Sequence, residues 1–325
     1  MKLPRRKFLY LAAGAAALPG LSRAARADTY PARPVTIVVG FPTGGGVDLD
    51  ARLMAQWLSN RLGQPFNIEN RTGSGSNIAT EAVVRSPADG YTLLLATAAN
   101  AISASLYQNL NFNFIRDMAP VAGGTRIPVV MVVSPSSPAK NVADFVAYAK
   151  ANPTQTSIGT TFIGSPVFMA AALFKTMAGL DVPLAQHSSD AAGIADLLGG
   201  KVQAHFAGAG AVTEDINAGK LRALGVTTLT RSELLPNVPA IAESVPGYEA
   251  SSWIGLAAPQ NTPTEIIETL NREINAGLAD AKVKARLAEL GNVPMPMTAS
   301  DFGKLIADDT EKWAKVIRAA NIKPE

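Results

Sequence analysis

Two rhythms of apolar and polar residues alternate along this chain. Short aliphatic and β-branched runs at residues 35–39, 66–69, 92–96, 129–133, 157–159, 202–206, 223–226 and 254–257 read as strands. Segments with apolar residues three and four apart, at 48–62, 142–151, 167–178, 191–198, 263–279, 282–290 and 301–319, read as helices. This alternation predicts an α/β protein with mostly parallel sheets. The C-terminal helices carry the clearest signals. Thr262-Pro263-Thr264-Glu265 joins a capping box to a proline at the first helical position, and Ile266, Ile267, Leu270, Ile274 and Leu278 follow as one stripe. Phe302, Leu305, Ile306, Trp313, Val316 and Ile317 give the last helix a packing face.

Two apolar stretches, Ile127-Pro128-Val129-Val130-Met131-Val132-Val133 and Ser251-Ser252-Trp253-Ile254-Gly255-Leu256, look like crossings between domains. They divide the chain into a discontinuous first domain, residues 28–127 with 251–325, and a second domain, residues 128–250. Both sizes are ordinary for domains.

The first 27 residues read as a twin-arginine export signal. Arg5-Arg6-Lys7-Phe8-Leu9 supplies the pattern, residues 9–21 are mostly apolar, and Ala25-Arg26-Ala27 fits cleavage between small residues. The apolar run is short and alanine-rich for a membrane span. Its removal reverses the charge balance. Six of the 29 basic residues lie in it and none of the 26 acidic ones, leaving 23 against 26, a net −3 in place of +3. No basic stripe remains for nucleic acid. The expectation is a soluble, monomeric periplasmic protein.

Catalysis finds little support. The chain has two histidines, His187 and His205, and no cysteine. It has no Gly-x-Ser-x-Gly elbow, no His-x-x-x-His pair and no calcium-type loop, so neither a metal nor another cofactor is expected. The glycine- and hydroxyl-rich loops are more informative. Phe41-Pro42-Thr43-Gly44-Gly45-Gly46-Val47-Asp48 joins a strand to a helix with Asp48 as its expected N-cap, and is neither a dinucleotide fingerprint nor a P-loop. Arg71-Thr72-Gly73-Ser74-Gly75-Ser76-Asn77, Thr97-Ala98-Ala99-Asn100 and Thr160-Thr161-Phe162-Ile163-Gly164-Ser165 also follow strands. Open α/β sheets bind ligands at the carboxyl ends of their strands. Four such loops around one cleft would offer many N–H and O–H donors. Arg71 has two readings, a partner for a carboxylate ligand or an ion pair with Glu69.

With those residues in view, the mature sequence resembles the periplasmic receptors of the tripartite tricarboxylate transporter class, the Bug receptors. The matching pieces run from Tyr30-Pro31-Ala32-Arg33-Pro34-Val35 and the first glycine loop through Glu69-Asn70-Arg71-Thr72-Gly73-Ser74-Gly75 and Ala88-Asp89-Gly90-Tyr91. They continue through Asp196-Leu197-Leu198-Gly199-Gly200-Lys201-Val202 to Trp253-Ile254-Gly255-Leu256-Ala257-Ala258-Pro259. The resemblance implies a two-domain Venus-flytrap fold that grips a small carboxylate between hinged lobes and delivers it to membrane permease subunits. It also implies a carboxylate held by backbone amides, small hydroxyls and water. Two departures fall in the second domain. Phe162 and Phe168 replace a small residue and a histidine of a Gly-x-Gly-Ser-x-x-His-type loop, and His187-Ser188-Ser189 stands where the family has Tyr-Lys-Gly.

The expected ligand contacts are Phe41, Thr43, Gly44, Gly45, Asp48, Ser74, Ser76 and Thr97 from the first domain. Thr160, Thr161, Phe162, Gly164, Ser165 and His187 complete them from the second. His187 is either a ligand contact or a structural histidine. Phe162 either favours an aromatic acid or packs beneath its own loop. A ligand sensor and an exported hydrolase are the competing functions.

Overall fold

The computed structural model describes residues 30–324, so the export leader lies outside the described residues. β1 (Val35–Val39), β2 (Phe66–Asn70) and β3 (Thr92–Thr97) run parallel, with β1 in the middle. The chain then adds β4 (Met118–Ile127), and later β10 (Ser252–Pro259) and β11 (Val293–Pro294), giving the order β11-β4-β10-β3-β1-β2. A second sheet, in the order β7-β6-β8-β5-β9, holds β5 (Val129–Val133), β6 (Ile158–Thr160), β7 (Leu184–Gln186), β8 (Ala204–Gly208) and β9 (Arg222–Val226).

Both sheets are mixed rather than mostly parallel. β10 runs against β3 and β4, and β5 runs against β8 and β9. The two antiparallel insertions follow from the chain leaving the first sheet at Pro128 and returning at Ser251. β4 was not apparent in the apolar pattern, because Pro120, Gly123 and Gly124 interrupt it. It becomes a strand by pairing with β10 through two irregularities of register.

Period-two alternation decides which face each strand buries. Ile37, Val39, Leu93 and Leu95 point into one core, under α1 (Gly46–Leu62), α9 (Thr264–Ala279) and α10 (Ala281–Glu289). Val38, Leu94 and Ala96 point the other way, toward α2 (Asn77–Val84), α3 (Ala98–Leu106) and α11 (Ala299–Ala319). This second core continues into the other lobe. It takes in Met131 and Val133 of β5, Phe145 of α5 (Val142–Ala151), and Met169 and Phe174 of α6 (Pro166–Met177). Val130 and Val132 face a third core with Leu197 of α7 (Asp190–Leu198) and Val212 of α8 (Ala209–Asn217). One short helix, α4 (Phe114–Asp117), precedes β4. Among the described residues no helix is long and apolar enough to cross a membrane.

The two crossings are tied together. Arg126, at the end of β4, donates to Ser251 Oγ (2.6 Å) and pairs with Glu249. Lys312 of α11 reaches both Glu249 and Asp309, and Asp309 accepts the indole N–H of buried Trp253 (2.6 Å).

Asp50 of α1 is buried, and its Oδ2 accepts Thr125 Oγ1 (2.6 Å) and Asn292 Nδ2 (2.9 Å). Burial pushes its pKa up to about 6, against the pull of those two donors. A folded value above the ordinary 3.8 favours the protonated fold, so this contribution is complete below the unfolded value and is lost as pH rises through about 6. Denaturant titrations between pH 4 and pH 7 are expected to show Asp50→Asn gaining stability relative to wild type as pH rises, by on the order of 3 kcal/mol.

Candidate functional site

The first wall is the glycine loop between β1 and α1. Gly40 opens it, and a Cβ there would stand 2.0 Å from Ser76 Oγ, so the two loops approach this closely only with glycine. Gly44 takes the left-handed conformation (φ 82°). The N-cap is Gly45, and Asp48 is the third helical residue, correcting its expected capping position. From there its carboxylate reaches back to the loop. Oδ2 accepts Gly44 N–H (2.8 Å) and Arg52 Nε (2.8 Å), while Oδ1 accepts Asn70 Nδ2 (2.8 Å) and Arg52 Nη2 (3.1 Å). Asn70 also donates to Phe41 O and accepts Thr43 Oγ1, each at 3.0 Å. Burial alone would raise the Asp48 pKa, but the Arg52 guanidinium and the Gly44 and Asn70 donors outweigh it and hold the carboxyl below 3.8. The first helical bond runs from Leu49 N to Gly45 O, so the N–H groups of Gly46 and Val47 precede the helical ladder.

Other helix starts repeat this arrangement. Thr97 caps α3 in a reciprocal box with Asn100, whose amide also donates to Thr80 Oγ1 (2.8 Å). Ser165 caps α6, accepting Phe168 N–H (3.0 Å), and its hydroxyl meets Thr161 Oγ1 at 2.7 Å. Ser189 caps α7, and Gly208 precedes α8.

These starts surround a cavity of about 500 Å³ between the two sheets. Phe41, Gly46, Val47 and Thr97 line it from one lobe. Val167, Asp190, Gly208, Gly210 and Ala211 line it from the other. Ser252 and Ile254 of β10 form part of the wall, and Glu289, Leu290 and Asn292 close one side. None of these lining residues is a lysine or arginine. What positive character the lining has comes from helix N-termini, as partial charges and free N–H groups, and it stands beside two carboxylates, Asp190 and Glu289.

The structure brings some of the expected residues to this cavity and places others elsewhere. Phe41 and Thr97 line it directly. Thr43, Gly44, Gly45 and Asp48 build the loop whose next residues, Gly46 and Val47, line it. Thr161, Gly164 and Ser165 form the turn leading to Pro166 and Val167 at its wall. Thr160 is buried, with its hydroxyl donating to Thr161 O (3.0 Å). Ser76 is buried in left-handed conformation against Gly40, outside the lining. Ser74 lines a separate cavity of about 660 Å³ near Leu106 and Lys323. Phe162 is half exposed and outside the lining of the cleft cavity, and it does not fold under its own loop. The His187 ring meets Thr160 O (3.1 Å) and Asp196 Oδ2 (3.2 Å), away from the cavity lining. Arg71 pairs with Glu69 (2.6 Å).

Sequence reasoning missed the β8–α8 start and Asp190. The signal for the first was present: Phe206-Ala207-Gly208-Ala209-Gly210 is another strand running into glycines.

The family described as "Tripartite tricarboxylate transporter family receptor" matches residues 50–322. Protein BugT of Bordetella pertussis is 36% identical over 310 residues, covering 94% of this chain and 95% of its own. Among solved structures, R. palustris Rpa4515 with adipate superposes with a TM-score of 0.79 at 36% identity, covering 91% of this chain and 100% of that one. MatC from Rhodopseudomonas palustris with bound malate superposes with a TM-score of 0.75 at 27% identity, covering 89% and 100%.

Asp48→Ala removes the shared acceptor of Gly44 N–H, Arg52 and Asn70 at once. Because the folded pKa lies below 3.8, the stabilisation is complete at neutral pH and is lost as pH falls through the folded value. The variant is expected to lose about 2–3 kcal/mol at pH 7, with the difference from wild type shrinking in acid, as measured by urea unfolding.

Proposed function

The chain belongs to the tripartite tricarboxylate transporter family of receptors, and from that premise we propose how its cleft takes a ligand and what it then does. The protein is a periplasmic solute-binding receptor for small carboxylates. The observation that carries the reading at this site is the convergence of five helix N-termini on a cavity with no cationic side chain. A carboxylate placed there exchanges water for preorganised N–H donors in a partly dry cleft, where fixed dipoles count for more than the weak, screened field of a net-negative surface.

In this reading the carboxylate binds the N–H groups of Gly46 and Val47 from the first lobe. Val167 N–H and the hydroxyls of Thr161 and Ser165 hold it from the second, directly or through water. The apolar remainder of the ligand packs on Phe41, Val47 and Ile254. An aromatic acid, first suggested by Phe162, then rests on Phe41 instead, because Phe162 is outside the cavity lining. The lobes are residues 28–127 with 251–325, and residues 128–250. They close by bending at Pro128 and at residues 250–251, the crossings that Arg126 ties together. The receptor leaves the cytoplasm by its twin-arginine leader, acts as a monomer and passes its ligand to permease subunits. It performs no covalent chemistry. In support, His187 is occupied on both ring nitrogens, and His205 is fully buried.

The test removes one donor without touching a side chain. Gly46 is the first residue of α1, follows a residue in extended conformation and has open space around its Cβ position, so proline fits there. Gly46→Pro deletes one N–H and is expected to weaken binding of the best carboxylate in a calorimetric panel about tenfold, with unchanged melting of the unliganded protein. Unaltered affinity would remove the glycine loop from the site.

A further inference from the structure

The cavity lined by helix N-termini also contains a carboxylate. Asp190, the first residue of α7, lines it from the second lobe with its side chain 21% exposed. Its Oδ2 accepts the N–H of Gly208 (3.2 Å). Its Oδ1 is buried and has no hydrogen-bond partner among the described residues. Behind it stands His205, fully buried, with Nε2 at 3.5 Å from Oδ1 and neither ring nitrogen hydrogen-bonded. The imidazole cannot swing away. It is wedged between Gly159 and Gly193, where an added Cβ would lie 2.5 Å and 2.1 Å from the ring. The other acid at the cavity, Glu289, is exposed and already paired with Arg286.

We propose that Asp190 is the residue that recognises an ammonium group, so that the acid taken up by this receptor is a zwitterion: an amino acid or a close amine-bearing analogue. The inference rests on the carboxylate-receptor reading and narrows it. A carboxylate has room for about four donors, and Asp190 has one N–H within hydrogen-bond distance. With Oδ1 buried against His205, an ammonium entering from the cavity meets Oδ2, to which it brings a positive charge and charge-assisted donors. The helix N-termini of the first lobe then hold the ligand's carboxylate while Asp190 holds its amine from the second lobe. Both ends of one small molecule are thereby needed to draw the lobes together. The same residue discriminates against plain diacids, because their second carboxylate meets Asp190 with no cation in the cavity lining to separate the two. The apolar lining from Phe41, Val47, Val167 and Ile254 accommodates the side chain.

The test uses matched pairs on the mature protein, unfolded and refolded to free the cleft. Calorimetry compares leucine with 4-methylpentanoate and glutamate with glutarate, on wild type and Asp190→Asn. Wild type is expected to prefer the amine-bearing member of at least one pair by about tenfold or more, and Asp190→Asn to abolish that preference while leaving or improving the affinity for its partner. Because the wild-type comparison stands alone, poor folding of the variant does not shield the proposal. Equal or tighter binding of 4-methylpentanoate and glutarate overturns the inference and leaves the receptor reading intact. Binding of leucinamide, which lacks the carboxylate, as tightly as leucine overturns both, as does failure of every carboxylate to bind.

Discussion

A single buried carboxylate holds the wall on which this cleft depends. Asp48 spends its acceptor capacity on Gly44, Arg52 and Asn70, and Asn70 in turn fixes Phe41 and Thr43. The N–H groups of Gly46 and Val47, two residues that line the cavity, are left without hydrogen-bond partners among the described residues. The arrangement places a negative charge inside the first turn of α1, where the helix dipole favours it, and keeps it out of contact with the ligand space. Without that clamp a loop containing three consecutive glycines would sample many conformations, and the donors would have to be ordered at the expense of binding.

The same economy of charge runs through the rest of the site. The cavity is lined by residues of both lobes, yet its donors are backbone amides and capped hydroxyls on helices that are themselves fixed by three cores. The core that includes α3, α6 and α11 joins the lobes, while Arg126, Ser251 and Glu249 gather the crossings into one place. In the proposed reading the lobes bend at the crossings while each wall keeps its donors, because the contacts that fix each helix start are local to it. That separation of rigid walls from a narrow pliable region is what a two-lobed receptor requires.

Much of the fold was legible in the sequence where one face of an element is apolar. β1 and β5 match the expected bounds to the residue, since Val35–Val39 and Val129–Val133 are short, nearly continuous apolar runs that the structure buries on both faces. α3 and α8 are not legible as helices, because openings such as Ala98-Ala99 and Ala209-Gly210-Ala211 carry no apolar period; α8 follows Gly208 without a side-chain cap and gains its order from packing. The site was legible as a set of strand-to-helix loops, and the glycine loop, Thr97 and the turn at Ser165 do reach the cavity. Sequence does not say which side chain of a loop faces inward. Ser74, Phe162 and His187 lie in the expected loops but outside the cavity lining, whereas Asp190 entered only through its position at the start of α7.

The central claim is that one acid is gripped by backbone donors from both lobes at once. Hydrogen–deuterium exchange on the mature protein, with and without the tightest acid found, reads those donors directly. The account predicts slowed exchange at Gly46 and Val47 and, in the same sample, at Val167 on the opposite wall. Protection confined to one lobe, or falling on the cavity near Ser74 and Lys323 instead, would contradict it.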